Sequence, residues 1–269
     1  MLAILVLACY LASAAWLALS MYRADQHAAR GQRMAGLTLG SIAVVLHLAL
    51  LWQTVFSRPA LAFTVLDTAS LVGMAVALIA LIAVVRKPSY AAAAATLFAL
   101  SGIAAAFTNE GSRRFVVESH GWELVTHIVL SVLAYALLTI GTGLAVGQAL
   151  LDRRLRARQP LGVLRVLPSI EALESGMFQA IGAGFAILSL ALFSGFVFVD
   201  NLQTQHLTHK TILSCLAWVS FAVLLTGRWR FGWRGRTALW WTLAGFALLG
   251  LAYFVSKLVL ESLIGRHWG

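Results

Sequence analysis

The chain has 269 residues, 61% of them hydrophobic and only 11% charged, with a mean hydropathy of +0.87. Too little polar side chain is present to cover so much apolar surface, which excludes water as the main environment and makes this an integral membrane protein, with the lipid bilayer as its first partner. The formal net charge of +10 invites a nucleic-acid reading, but the basic residues are spread over short loops that obey one topological rule, and nucleic acid is set aside as a partner.

A membrane-crossing helix needs about 20 consecutive apolar residues, because every backbone amide must be satisfied inside the segment. Eight stretches qualify: 2–22, 35–56, 61–85, 90–107, 122–150, 176–199, 211–226 and 238–263. No Lys or Arg precedes the first run, which is also long for the core of a signal peptide, so it is read as a retained helix. The fifth is long enough to project beyond the membrane. The expected fold class is all-α, a polytopic protein with eight transmembrane helices in one domain, 1–269. Residues 1–121 form its first four helices and 122–269 its last four.

Lys and Arg resist transfer and mark the cytoplasmic side. One set of loops holds Arg23, Arg30 and Arg33, then Arg86 and Lys87, then Arg153, Arg154, Arg156, Arg158 and Arg165, then Arg228, Arg230, Arg234 and Arg236, fourteen of the twenty basic residues. The other side keeps Arg58, Arg113, Arg114, Lys210, Lys257 and Arg266. Both termini are therefore expected on the outer, periplasmic side of a bacterial inner membrane. The stretch 159–174, with Pro160 and Pro168 as breakers, reads as a cytoplasmic connection.

Cys9 and Cys215 lie inside predicted spans with no Cys-x-x-Cys, so thiol exchange and covalent haem attachment are not expected and both read as packing residues. No Gly-x-Ser-x-Gly, His-Glu-x-x-His or phosphate-binding loop occurs, and the chain is read as non-enzymatic. Trp233, Trp240 and Trp241 read as boundary anchors, and Gly232 and Gly235 as parts of a tight basic turn rather than a phosphate cradle.

Seven histidines carry most of the available chemistry. His27 and His120 fall in loops and read as solvated. His47 lies near the middle of the second span, in Val44-Val-Leu-His-Leu-Ala-Leu-Leu-Trp52, where a polar group costs free energy unless paired. It is either a neutral imidazole bonded to a neighbouring helix or a functional ligand. His127 stands about a turn and a half inside the fifth span, and is either an interfacial histidine or a ligand. His206 and His209, in Asp200-Asn-Leu-Gln-Thr-Gln-His-Leu-Thr-His-Lys210, form a His-x-x-His pair, a weak two-ligand metal clip. Asp67 in the third span either pairs with a histidine, sits at the outer boundary, or marks an ion path. Haem iron accepts two axial imidazoles, and its propionates suit Lys210, Arg266, Arg113 and Arg114, all expected on the same side as His127.

From His127 onward the residues carry a resemblance. Thr126-His-Ile-Val-Leu-Ser-Val-Leu-Ala-Tyr135, Leu173-Glu-Ser-Gly-Met-Phe-Gln-Ala-Ile-Gly-Ala-Gly-Phe185, Ser194-Gly195, His209-Lys-Thr-Ile-Leu-Ser-Cys-Leu-Ala-Trp218 and Gly232-Trp-Arg-Gly-Arg236 occur in order. Together they resemble the cytochrome c assembly protein superfamily, membrane haem-handling proteins of the CcsA and CcmC type, most of all its smaller YpjD/HemX-like branch. The resemblance implies haem as cofactor, with cytochrome c maturation or haem-biosynthesis proteins as partners. It implies His127 and His267, in Gly265-Arg-His-Trp268, as axial ligands, Lys210 and Arg266 near the propionates, and His47 as an alternative ligand or relay. Where the haem lyases of the superfamily carry a Trp-rich loop, this chain has Asn201-Leu-Gln-Thr-Gln-His-Leu-Thr-His209 with no Trp. A haem sensor or regulator is therefore expected rather than a full lyase. The alternative is an ion-linked protein, a transporter or an accessory to divalent-cation efflux, using Asp67, His47, His206 and His209.

Overall fold

The computed structural model describes residues 1–23, 25–56, 61–108, 115–117, 121–198 and 208–263, and for 61–63, 65, 115–117, 198, 208–209 and 254–263 the backbone alone. Eight helices follow in chain order: α1 (Leu2–Tyr22), α2 (Gln26–Leu51, continued by a π-helical turn Trp52–Phe56), α3 (Val65–Arg86), α4 (Ala91–Ala106), α5 (Trp122–Arg156), α6 (Ile170–Phe198), α7 (Thr208–Phe231) and α8 (Gly235–Leu263). Two three-residue strands, β1 (Leu61–Phe63) and β2 (Phe115–Val117), pair antiparallel with Ala62 opposite Val116. Among the described residues seven of the helices, α1 to α7, are long and apolar enough to cross a membrane. The all-α, polytopic expectation holds.

Several boundaries differ from the sequence reading for local reasons. The second helix begins at Gln26, nine residues earlier than its apolar run, because the Asp25 carboxylate accepts the His27 backbone N–H and caps it. His27 accordingly lies in the first turn of a helix rather than in a loop. The third begins later, since Leu61–Phe63 is spent on β1 and Thr64 starts a capping box: its hydroxyl accepts the Asp67 N–H while the Asp67 carboxylate accepts the Thr64 N–H. Asp67 is therefore a cap at the helix start, fully buried, and not a mid-membrane carboxylate. The connection read over 159–174 narrows, because α6 already begins at Ile170.

Contacts divide the chain into two units. The first comprises Met1–Gly121 and Leu150–Leu173, the second Trp122–Ala149 and Glu174–Gly269. In the first unit, α1 buries Val6, Tyr10, Ser13, Leu17 and Ser20, and α2 buries Gly36, Gly40, Ala43, His47 and Leu50. Both stripes step by four and three, the spacing of a left-handed two-helix seam. Gly36 and Gly40 form a small-xxx-small pair: a Cβ at Gly36 would stand 2.9 Å from Leu17 Cγ, and one at Gly40 2.9 Å from Phe98 Cε2. The Ser13 hydroxyl crosses the seam to the Gly36 carbonyl at 2.7 Å, and Ser101 of α4 donates to Gly73 of α3 at 2.8 Å. Outward positions such as Ile4, Val45 and Val85 stay apolar and exposed, as lipid requires.

The second unit packs by the same rule. Leu138 of α5 lies against Gly184 of α6 and Ile181 of α6 against Gly141 of α5, while Phe221 of α7 fills the space over Gly245 of α8. The Tyr135 hydroxyl donates to the Leu249 carbonyl at 2.7 Å, tying α5 to α8. Trp218 of α7 donates to Ser189 Oγ of α6 at 2.8 Å and stacks on Phe185.

Candidate functional site

His127, near the start of α5, faces the end of α6. Its Nδ1 stands 3.0 Å from Ser194 Oγ, and the Ser194 hydroxyl donates to the Ala191 carbonyl at 2.8 Å. A hydroxyl has one proton. With that proton spent on Ala191, Ser194 can only accept from the ring, so Nδ1 carries the hydrogen and the neutral imidazole keeps its lone pair on Nε2. The next residue, Gly195, makes the approach possible, because a Cβ there would lie 3.2 Å from His127 Cε1. The Ser194-Gly195 pair thus serves as a seat for one imidazole, fixing tautomer and ring plane together.

Two further helices reach this end. Lys210 stands in the first turn of α7, at the same end of the unit as His127. Its ammonium lies 5.4 Å from the centroid of the Tyr253 ring on α8, a cation–π contact. Tyr253 meets Tyr135 edge to face at 6.3 Å. A half-buried imidazole whose Nε2 has no partner among the described residues, at the same end of the unit as an ammonium held on an aromatic face, can ligate a metal centre whose periphery is anionic. Of the residues expected at the site, His127 and Lys210 are brought to the same end of the unit; Arg266, His267 and His206 lie outside the described residues, as do Arg113 and Arg114, and His209 is described by its backbone alone. Among the described residues no group of three or more His, Cys, Asp or Glu could hold a metal ion.

His47 has a different environment, in the first unit. It is fully buried, with Nδ1 3.2 Å from the Tyr10 hydroxyl and Nε2 2.8 Å from Ser70 Oγ. Ser70 in turn accepts from the Thr108 hydroxyl at 2.8 Å. Both ring nitrogens are committed to side chains from two other helices, so service as an axial ligand would require breaking one of these bonds and leaving its partner unsatisfied in a dry interior. The arrangement is the bonded-imidazole alternative and gives no support to a ligand role.

At the arginine-rich end of the second unit, Glu174 of α6 pairs with Arg228 at 2.8 Å and Arg234 at 3.2 Å, and accepts from Gln148 at 3.3 Å. Gly232 and Gly235 have φ of +65° and +56°, values glycine adopts without strain, and α7 closes with Gly232 and Trp233 N–H groups on the Arg228 and Gly227 carbonyls. The basic segment is thus a tight turn. Trp233, expected as a boundary anchor, is half-buried: it folds back over Gly227, where a Cβ would collide with its ring, and stacks 6.0 Å from Trp241. Trp240 alone of the three is well exposed. Sequence reasoning passed over Ser189 and Tyr253, single polar residues in apolar segments, and saw Glu174 only as a charge at the end of the 159–174 connection.

The family model described as Cytochrome C assembly protein matches residues 35–264. The chain is 35% identical over 136 residues to the inner membrane protein YpjD of Escherichia coli, covering 51% of each chain. It is 33% identical over 141 residues to an uncharacterized 28.8 kDa protein of Azospirillum brasilense, covering 52% of each. It is 25% identical over 142 residues to the cytochrome c biogenesis protein CcsA of Chlamydomonas reinhardtii, covering 52% of this chain and 39% of the other. The aligned part spans about half the length of the first of these relatives, and no solved structure matches. With a family match that runs from the second helix to the last and takes in the seat of His127, the chain belongs to the cytochrome c assembly protein family.

Proposed function

We propose that the protein binds haem at the end of the second unit that carries His127, and handles it in the inner membrane as a non-enzymatic sensor or regulator linked to cytochrome c assembly. The single observation that carries this reading is the seat of His127: Ser194 and Ala191 hold the hydrogen on Nδ1, so Nε2 is offered as a ligand. Lys210 supplies a cation at the same end of the unit. These residues fit haem, which when bound supplies an iron that takes axial imidazoles and an anionic edge of propionates. On this reading His127 ligates the iron, Ser194 and Gly195 orient its ring, Lys210 with Arg266 receives the propionates, and His267 is the second axial ligand. The names of relatives as a cytochrome c biogenesis protein and an inner membrane protein agree with it. The placement of fourteen of twenty basic residues puts both termini on the outer side, and the absence of Trp from 201–209 argues for sensing over lyase activity.

The test is the visible absorption spectrum of the protein purified in mild detergent, oxidised and reduced, beside His127→Ala and His267→Ala. A Soret band with sharp reduced peaks that weakens in both variants is expected; a colourless protein that also fails to take up added haem refutes the proposal. The ion-linked alternative has one observation in its favour, the buried Asp67 Oδ1, which has no hydrogen-bond partner among the described residues. It requires a colourless protein whose response to divalent cations depends on Asp67 or His206.

A further inference from the structure

We propose that the arginine-rich end of α7 is a binding site for an anionic phospholipid, with one acyl chain in a slot along the helix and the headgroup on Arg230, Arg234 and Arg236. The slot has a volume of about 270 Å³. Its floor is the stripe Val219, Ala222, Val223 and Thr226, spaced i, i+3, i+4 and i+7 on one face of α7. Large rings close both ends. Trp218 is fixed by its hydrogen bond to Ser189 and its stack on Phe185. Trp233 is fixed by folding over Gly227, by its N–H on the Gly227 carbonyl, and by stacks on Phe231 and Trp241. The slot is therefore built before any ligand arrives.

The slot is open on the outer side of α7, where Val219 and Phe231 are exposed, which suits an alkyl chain of the surrounding lipid, and charge chooses the headgroup. Around the turn stand Arg228, Arg230, Arg234 and Arg236 with Glu174 as the acidic partner the structure gives them, and Glu174 is spent on Arg228 and Arg234. Arg234 nevertheless keeps its side chain 69% exposed, Arg230 lies over the exposed Trp229 ring at 5.2 Å, and Arg236 is exposed. Arg230 continues the stripe of Val219, Val223 and Thr226 one turn further along α7, and a guanidinium beyond the end of an apolar slot matches a phosphodiester above an alkyl chain.

The full chain is purified, exchanged into mixed micelles holding equal amounts of dioleoylphosphatidylglycerol and dioleoylphosphatidylcholine, and its retained lipid counted by native mass spectrometry. Expected is retention of phosphatidylglycerol by about tenfold or more over phosphatidylcholine, since each basic residue near an anionic lipid contributes about fivefold. The double variant Arg230→Gln, Arg236→Gln, two exposed changes that leave the packing alone, should erase most of that preference while lipid still binds. Val223→Trp should fill the slot and abolish retention of both lipids, with its elution volume unchanged as the check on folding. Equal retention of the two lipids by the unaltered protein overturns the proposal, as does a preference that survives both variants. So does glycerol phosphate competing as well as the whole lipid, because the slot would then do nothing.

Discussion

Ser194→Ala tests the seat of His127 at the level of one proton. The change deletes the hydroxyl that accepts from Nδ1 at 3.0 Å and donates to Ala191 at 2.8 Å. A net intramolecular hydrogen bond contributes about 1 kcal/mol, which is about fivefold in an equilibrium constant. Loss of a group that orients a metal-bound histidine typically costs 10-fold to 100-fold in affinity. The lower end applies here, because the change removes a single net hydrogen bond to the ring. Haem affinity is therefore expected to fall by about fivefold to tenfold. Gly195→Val should cost more, since even a bare Cβ would stand 3.2 Å from His127 Cε1 and the branched side chain must push the ring off its seat. The assay is titration of the detergent-solubilised protein with haem, followed at the Soret band, with His127→Ala as the zero. If Ser194→Ala binds haem as tightly as the unaltered protein while His127→Ala does not bind, the proton accounting is wrong. If Gly195→Val is also silent, His127 does not act from this seat.

Other perturbations separate structural from functional polar groups. Tyr10→Phe removes the hydroxyl facing His47 Nδ1 at 3.2 Å and leaves a buried nitrogen without a partner, which should lower stability by about 1–3 kcal/mol; thermal unfolding in detergent reads it, and the haem spectrum should not change. His47→Leu should likewise lower the melting temperature and spare the spectrum, whereas loss of the Soret band would return His47 to the ligand set. Glu174→Ala leaves Arg228, a side chain only 28% exposed, beside no carboxylate, and should cost about 2 kcal/mol, while Arg234→Ala at 69% exposure should cost under about 0.5 kcal/mol. Equal costs measured by thermal unfolding would show that Arg228 does not depend on the pair. Gly227→Ala puts a methyl where the Trp233 ring packs, so Trp233 must leave its stack with Trp241, visible as a red shift in tryptophan emission.

The membrane class and the helix count were legible because lipid makes one demand, that backbone amides be satisfied within long apolar segments, and composition records it directly. The ends of the helices were less so. Gln26 and Ile170 start their helices inside polar sequence, through caps at Asp25 and at Ser169, whose Oγ accepts from the Ala172 N–H, and hydropathy is silent about caps. The packing of Trp233 was hidden for a related reason. An aromatic beside a basic loop reads as an anchor, but the absence of a Cβ at Gly227, six residues earlier, decides that the ring turns inward. The Ser194-Gly195 pair was visible as a motif, yet its meaning depends on its pairing with His127, 67 residues away.

The two intramembrane histidines show why position in a span does not by itself define a role. Each sits in an apolar helix where an unpaired imidazole is costly, so each must be bonded. His47 is bonded twice, by Tyr10 and Ser70, and is closed off completely; it ties α2 to α1 and α3 and has nothing left to offer. His127 is bonded on Nδ1, to a serine whose proton already points elsewhere, near a helix end and at the same end of its unit as a lysine. Between these two rings and among the described residues, it is His127 that keeps Nε2 without a partner, and a neutral imidazole with one nitrogen anchored and the other free is the form in which histidine binds iron. The count of donors and acceptors around each ring, rather than depth in the membrane, is what favours His127 over His47 as the ligand of the proposed function.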